Sequence, residues 1–164
     1  MTEATGKQWA GDTLVPGSAC ARAFVLDRPL SFWGGYDSGT GRIVDRGHPQ
    51  AGASLAGKVM VMPHAKGSSS SSSVLAEAVR NGTGPVGIVL KERDLILSIG
   101  AIVAAELYAI AVPVVCVTDD VYDAIAAAPG DVRIEAAGGD GCARIYLADA
   151  PAAAGSASAP AASR

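Results

Sequence analysis

The sequence predicts an α/β domain in two parts, a β-rich first third followed by a half in which strands and helices alternate. Three observations carry this. Short strand-like runs punctuated by Pro29, Gly34-Gly35 and the turn-forming Asp37-Ser38-Gly39-Thr40-Gly41 fill the first third. Val86–Leu90, Ile96–Leu107 and Val112–Val117 then alternate strand, helix and strand. Of the 164 residues, 49% are apolar, enough for one domain to bury a core.

The elements follow in order. Residues 1–8 read as a loose arm. Ser18 to Leu26 alternates as a strand does, and Leu30-Ser31-Phe32-Trp33 reads as a short aromatic strand running into Gly34-Gly35. Arg42 to Asp45 returns after the Asp37–Gly41 turn. Gly57 to Met62 is apolar enough for a buried strand. A helix starts at Ser72 or Ser73 and stops at Asn81-Gly82. The β-branched run Val112–Val117 fits a parallel strand covered on both sides. Asp119 is the expected cap of a short helix ending before Pro129-Gly130. Val132–Glu135 and Ala143–Leu147 form a hairpin around Gly138–Gly141. One domain therefore spans 9–148, and the Ala, Pro and Ser tail 149–164 is expected to be disordered.

Composition narrows the function classes. A net charge of −3 gives no basis for binding nucleic acid or an anionic membrane, and the only basic grouping would have to be assembled in space from Lys66, Lys91 and Arg93. No apolar run approaches the roughly 20 residues that cross a bilayer. The N-terminus carries Glu3 and no hydrophobic stretch, so no secretory signal is read and the expected compartment is the cytoplasm. Cys20, Cys116 and Cys142 lie far apart, without C-x-x-C or Cys/His pairing. Packing is the expected role of Cys20 and Cys116, in apolar surroundings, and no metal site is expected on this chain.

The most informative stretch is Pro63-His64-Ala65-Lys66-Gly67 followed by six serines, Ser68 to Ser73. A serine run alone fits a linker, but this one joins a buried strand to the next helix of the same unit. A strand that turns through Gly and Ser into a helix start gathers N–H groups and hydroxyls around one point. The helix dipole adds about half an elementary positive charge there. Such a turn suits an anionic ligand. Plainer roles exist for the same residues: Ser72 or Ser73 as the N-cap, Lys66 as a solvated loop lysine.

Read together, Phe32-Trp33-Gly34-Gly35-Tyr36-Asp37, Thr40-Gly41, Asp45, His48-Pro49, Gly52, Leu55-Ala56-Gly57-Lys58-Val59, Lys66-Gly67-Ser68, Ser72 and Val74-Leu75 resemble the small subunit of aconitase X. The resemblance runs from about Val15 to Leu147. It implies the swivelling β/β/α domain of the aconitase type, detached from a larger catalytic body. It implies a hydro-lyase, with an iron–sulfur cluster on a separate large subunit and no cofactor on this chain. Members dehydrate small hydroxy acids, either cis-3-hydroxy-L-proline or phosphomevalonate, and the serine-rich, Ala/Gly-rich sequence points to the hydroxyproline reaction. By the same resemblance Ser68 is the base that takes the proton next to a carboxylate. Lys66, Gly67, Ser69 and Ser72 are expected to bind substrate, and the loop of Gly34, Gly35 and Asp37 is expected to face the site. Ser70 has no counterpart in the matched motif. A surface made for the large subunit should leave apolar residues exposed around Trp33 and Ser68, and through it the isolated chain could self-associate.

Other readings carry less. His64 stands near Ser68 as a hydrolase base would, but the G-x-S-x-G elbow is missing and no histidine follows Ser68; a loop position in solvent or a structural hydrogen bond is expected. His48-Pro49 fits the closure of a turn, or a place near the site. Ala101–Leu107 with Val112-Pro113-Val114-Val115 also resembles the phosphohistidine swivelling domain of phosphoenolpyruvate-utilising enzymes, but Ile99 stands where the phosphorylated histidine would be. Without that imidazole there is no phosphotransfer. A non-catalytic module that binds anions remains open on residues alone.

Overall fold

The computed structural model describes residues 6–128 and 130–148; residues 1–5 of the expected arm and the whole tail 149–164 lie outside them. Seven strands close into a barrel. Their order is β1 (Gln8–Val15), β7 (Val114–Cys116), β6 (Gly87–Leu90), β5 (Val59–Met62), β2 (Gly17–Val25), β8 (Asp131–Ala136) and β9 (Cys142–Ala148). β2, β5, β6 and β7 run parallel, whereas β8 and β1 pair antiparallel at either end of that set. The hairpin partner β9 joins β8 to β1 and closes the ring.

Period-two alternation in the parallel strands divides the core. Met60, Met62, Ile88, Leu90 and Val114 belong to one buried cluster with Leu75, Ala78 and Val79 of α2 (Ser71–Arg80) and Leu97, Ala101 and Ala104 of α3 (Leu95–Tyr108). Val59, Val61, Val89 and Val115 alternate with them and pack instead with Val132, Ile134 and Ile145, beside Tyr122 and Ile125 of α4 (Asp119–Ala127). The strands are thus apolar on both faces because one face meets helices and the other fills the barrel. Each such side chain contributes about 1.5–3 kcal/mol by burial.

A small hairpin, β3 (Tyr36–Asp37) with β4 (Arg42–Ile43), docks against the far end of α2. The Tyr36 hydroxyl donates to the Thr83 carbonyl at 2.6 Å and accepts from the Leu55 N–H at 3.3 Å. Burial raises the Tyr36 phenol pKa above its ordinary value, so these bonds hold at neutral pH. Asn81 Nδ2 and Thr83 Oγ1 both donate to the Ser38 carbonyl.

Several expectations need correction. Residues 6–8 do not form an arm: β1 begins at Gln8, opposite Tyr146, and the Lys7 carbonyl accepts from the Leu147 N–H. Leu30–Trp33 is not a strand. Phe32–Gly35 is a kinked turn, α1, in which Trp33 (φ −69°, ψ 115°) and Gly34 (φ 76°, ψ −11°) take the central conformations of a type II turn. Glycine is needed at the second of these. α2 starts one residue early, with Ser70 at its cap, so neither Ser72 nor Ser73 is the N-cap. Asp119 is the first residue of α4, and Thr118 holds the cap position without a side-chain bond. Cys20 is exposed rather than packed, because its side chain lies on the outer face of β2; Cys116 is half-buried, and burial raises its thiol pKa.

Candidate active site

The loops that follow β5, β6 and β7 emerge at the same end of the barrel, where parallel strands deliver their chain to helix N-termini. The β5–α2 loop carries the serines. It is tied to its neighbour because Lys91 and Glu92 both donate their N–H groups to the Pro63 carbonyl, at 2.9 and 3.0 Å.

Lys66, Gly67, Ser68, Ser69 and Ser70 are all exposed. Gly67 has φ +100°, a region side chains disfavour, and any Cβ there would overlap the Ser31 hydroxyl. The chain then tightens. The N–H groups of Ser71, Ser72 and Ser73 donate to the carbonyls of Ser68, Ser69 and Ser70 at 2.9, 3.2 and 3.1 Å. The Ser70 N–H donates to Ser68 Oγ at 3.2 Å. Ser72 Oγ donates to the Ser69 carbonyl at 2.8 Å.

This refines the anion site drawn from sequence. The first amides of α2 are used internally, but among the described residues nothing accepts from the N–H groups of Gly67, Ser68 or Ser69. These three N–H groups belong to exposed residues just before the start of α2. Lys66 has no acidic partner among the described residues. Of the three cations Lys66, Lys91 and Arg93, the last two face carboxylates. Lys91 Nζ lies 3.9 Å from both Asp119 and Asp123, and Arg93 pairs with Asp12 at 3.0 Å.

The expected Gly34, Gly35 and Asp37 loop is split. The Trp33 N–H donates to Ser71 Oγ at 3.0 Å, which sets the turn containing Gly34 beside the serines, and Trp33 is 60% exposed. Gly35 is buried against Leu30. Asp37 lies with the hairpin at the opposite end of α2, about 15 Å away for a ten-residue helix. Its carboxylate accepts from Gly39 and Thr40 N–H groups, which lower its pKa. It is a turn residue.

Both histidines lie within hydrogen-bond distance of backbone groups. His48 is buried; its Nδ1 accepts from the Gln50 N–H at 3.1 Å, leaving Nε2 to donate to the Arg28 carbonyl at 3.0 Å. His64 is exposed, with Nδ1 3.0 Å from the neighbouring Ala65 carbonyl. Among the described residues no His, Cys, Asp and Glu cluster could hold a metal, so this part of the chain does not fit an iron–sulfur cluster.

Three contributors escaped the sequence reading. Ser71 is 2% exposed and lies four residues before the buried Leu75, on the inner face of α2; that phase was the available signal. Ser31 receives the face of Gly67. Gly100 lets α3 approach the first turn of α2, since a Cβ there would sit 2.8 Å from the Ser72 carbonyl oxygen. Ile99, next to it, is half-exposed on α3, where an imidazole would have been required for phosphotransfer.

Comparison with known proteins agrees with this architecture. The family model for the aconitase X swivel domain matches residues 8–140. A cis-3-hydroxy-L-proline dehydratase of Pseudomonas aeruginosa is 42% identical over 127 residues, 75% of this chain and 22% of that protein. The chain thus spans under a quarter of that relative. The phosphomevalonate dehydratase small subunit of Methanothermobacter thermautotrophicus is 44% identical over 80 residues, 49% of this chain and 61% of that one. The crystal structure of Thermococcus kodakaraensis aconitase X superposes with a TM-score of 0.68 at 30% identity, covering 85% of this chain and 98% of the other. The chain belongs to the aconitase X swivel domain family.

Proposed function

We propose that this chain is the small subunit of an aconitase X-type hydro-lyase that dehydrates a small hydroxy acid, with cis-3-hydroxy-L-proline as substrate. The observation that carries the reading is the exposed Lys66-Gly67-Ser68-Ser69 turn, with three N–H groups that have no acceptor among the described residues, at the helix end of the parallel strands. The substrate carboxylate takes those amides and the charge of Lys66, with Ser69 and Ser72 beside it. Ser68 Oγ takes the proton from the carbon next to the carboxylate. The electron pair left behind forms the double bond as the hydroxyl on the adjacent carbon leaves as hydroxide, and the proton held by Ser68 then passes to it, giving water and restoring the alkoxide. A serine is a poor base unless its alkoxide is held by donors and positive potential. The Ser70 N–H, which donates to Ser68 Oγ, and the α2 dipole support this reading, and Lys66 is proposed to add positive charge.

The turn is exposed, and on this reading it forms one wall of a site. A large subunit would supply the other and hold the iron–sulfur cluster, for which the described residues of this chain have no ligand set. The exposed Trp33 beside the serines suits that contact. The cytoplasm is the proposed setting, and no helix among the described residues is long and apolar enough to cross a membrane.

Phosphomevalonate is the second substrate to test, because small-subunit relatives with that name match this chain at comparable identity, 44% over 80 residues and 39% over 94. The isolated chain should show no turnover of either compound. Mixing with the cognate large subunit should restore turnover of cis-3-hydroxy-L-proline. Activity of the isolated, metal-free chain would overturn the proposal, and activity of the complex on phosphomevalonate alone would reassign the substrate. Ligand affinity of the isolated chain, with no gain in activity on mixing, would favour the anion-binding module.

A further inference from the structure

We propose that Ser71 is a positioning residue that clamps the Trp33–Gly34 turn to the serine turn and so fixes where Ser68 stands. The role rests on the reading of Ser68 as the base, but the clamp has its own geometry. Ser71 is bonded in two directions. Its N–H donates to the Ser68 carbonyl at 2.9 Å, and its buried Oγ accepts from the Trp33 N–H at 3.0 Å. The other side of the same Trp33 residue is held as well, because Ser31 Oγ donates to the Trp33 carbonyl at 2.9 Å. Ser31 in turn lies against Gly67, at a distance that admits no Cβ. Ser68 is therefore bracketed: Gly67 before it rests on Ser31, and Ser71 after it holds Trp33.

The clamp has a firm base. Phe32 and Leu30 flank Ser31 and are fully buried, so the segment that carries Trp33 is anchored in the core while the indole stays outside. Ser71 occupies the inner face of α2 with Leu75, Ala78 and Val79. An alanine there would keep the helix and the Ser68 bond but leave the Trp33 N–H without its partner. The neighbouring serines cannot replace it: Ser72 Oγ is bonded to Ser69, and Ser73 is exposed.

The test uses the full chain with Trp9→Phe, so that Trp33 is the only tryptophan. Time-resolved anisotropy of Trp33 reports the clamp, and steady-state kinetics of the complex with the large subunit report its consequence. Ser71→Ala should increase the fast depolarisation of Trp33 and lower kcat about 10- to 100-fold, the loss typical of a displacement near 1 Å, with KM changed much less. Ser71→Thr, which keeps the hydroxyl, should recover part of both. Ser31→Ala, which leaves α2 untouched, should also loosen Trp33. Ser73→Ala should match the parent in both measurements. The proposal is overturned if Ser71→Ala and Ser31→Ala leave the anisotropy at the Ser73→Ala value, or if Trp33 loosens while kcat stays unchanged. An inactive parent complex would count against the dehydratase reading instead, and the anisotropy would still decide the clamp.

Discussion

Ser68→Ala should abolish most turnover of the reconstituted complex while leaving the fold intact. The substitution removes one oxygen from an exposed loop residue whose hydroxyl, among the described residues, bonds only to the Ser70 N–H, at 3.2 Å. Surface changes of this kind alter stability by about 0.5 kcal/mol or less. A positioned acid–base group supplies about 10²–10⁴-fold in rate, and that factor should be lost from kcat. KM should move much less, because the missing interaction belongs to the transition state. Ser70→Ala is the matched control: it keeps the N–H that Ser68 Oγ accepts from and removes only an exposed hydroxyl. Thermal melts and steady-state kinetics of both variants check this. Equal behaviour would mean the run is a spacer and helix start, and that Ser68 is not the base.

Gly67→Ala should damage both stability and turnover. Two costs add at this position. At φ +100° an L-residue is strained by about 1–3 kcal/mol. The new methyl would also collide with the Ser31 hydroxyl, so either Ser31 or the serine turn must move. For a chain of this size each kcal/mol lowers the melting temperature by about 2–4 °C. Displacement of Ser68 should reduce kcat by about 10²-fold. Gly52→Ala separates the two costs, since Gly52 has φ +87° but open space around it and lies by the β4 hairpin. It should melt lower than the parent and keep full turnover. If Gly67→Ala behaves like Gly52→Ala, contact with Ser31 does not position the loop.

Much of the second half was legible because local pattern and tertiary role coincide there. The β-branched runs of β6 and β7 and the β8–β9 hairpin need no distant information, and α2 and α3 were found to within a residue or two. β1 was missed for the opposite reason. Gly11 and Asp12 have little strand preference, and the segment is a strand because β7 and β9 pair with it on both sides. Periodicity reports which face is buried and does not name the partner. The Leu30–Trp33 misreading has a similar cause. Its aromatic composition fits a strand, but Gly34 at positive φ turns the chain after Phe32 is buried.

In the site, the Lys66-Gly67-Ser68 order was visible as a turn of unusual composition. What six identical residues could not show is which serine faces inward. Ser71 differs from its neighbours only by its phase on α2, and its partner Trp33 lies 38 residues away. Asp37 misled for the converse reason: it is close to Gly34 in sequence, but the helix length of α2 separates it from Ser68.

On the proposed function, this chain is one part of a two-part dehydratase. The most direct measurement is isolation of the native protein by pull-down, with a visible absorption spectrum of the material recovered. A stable complex with one larger polypeptide and the broad visible absorption of an iron–sulfur cluster are the expected result. A colourless chain recovered without a larger partner, from cells that carry out the dehydration, would contradict it.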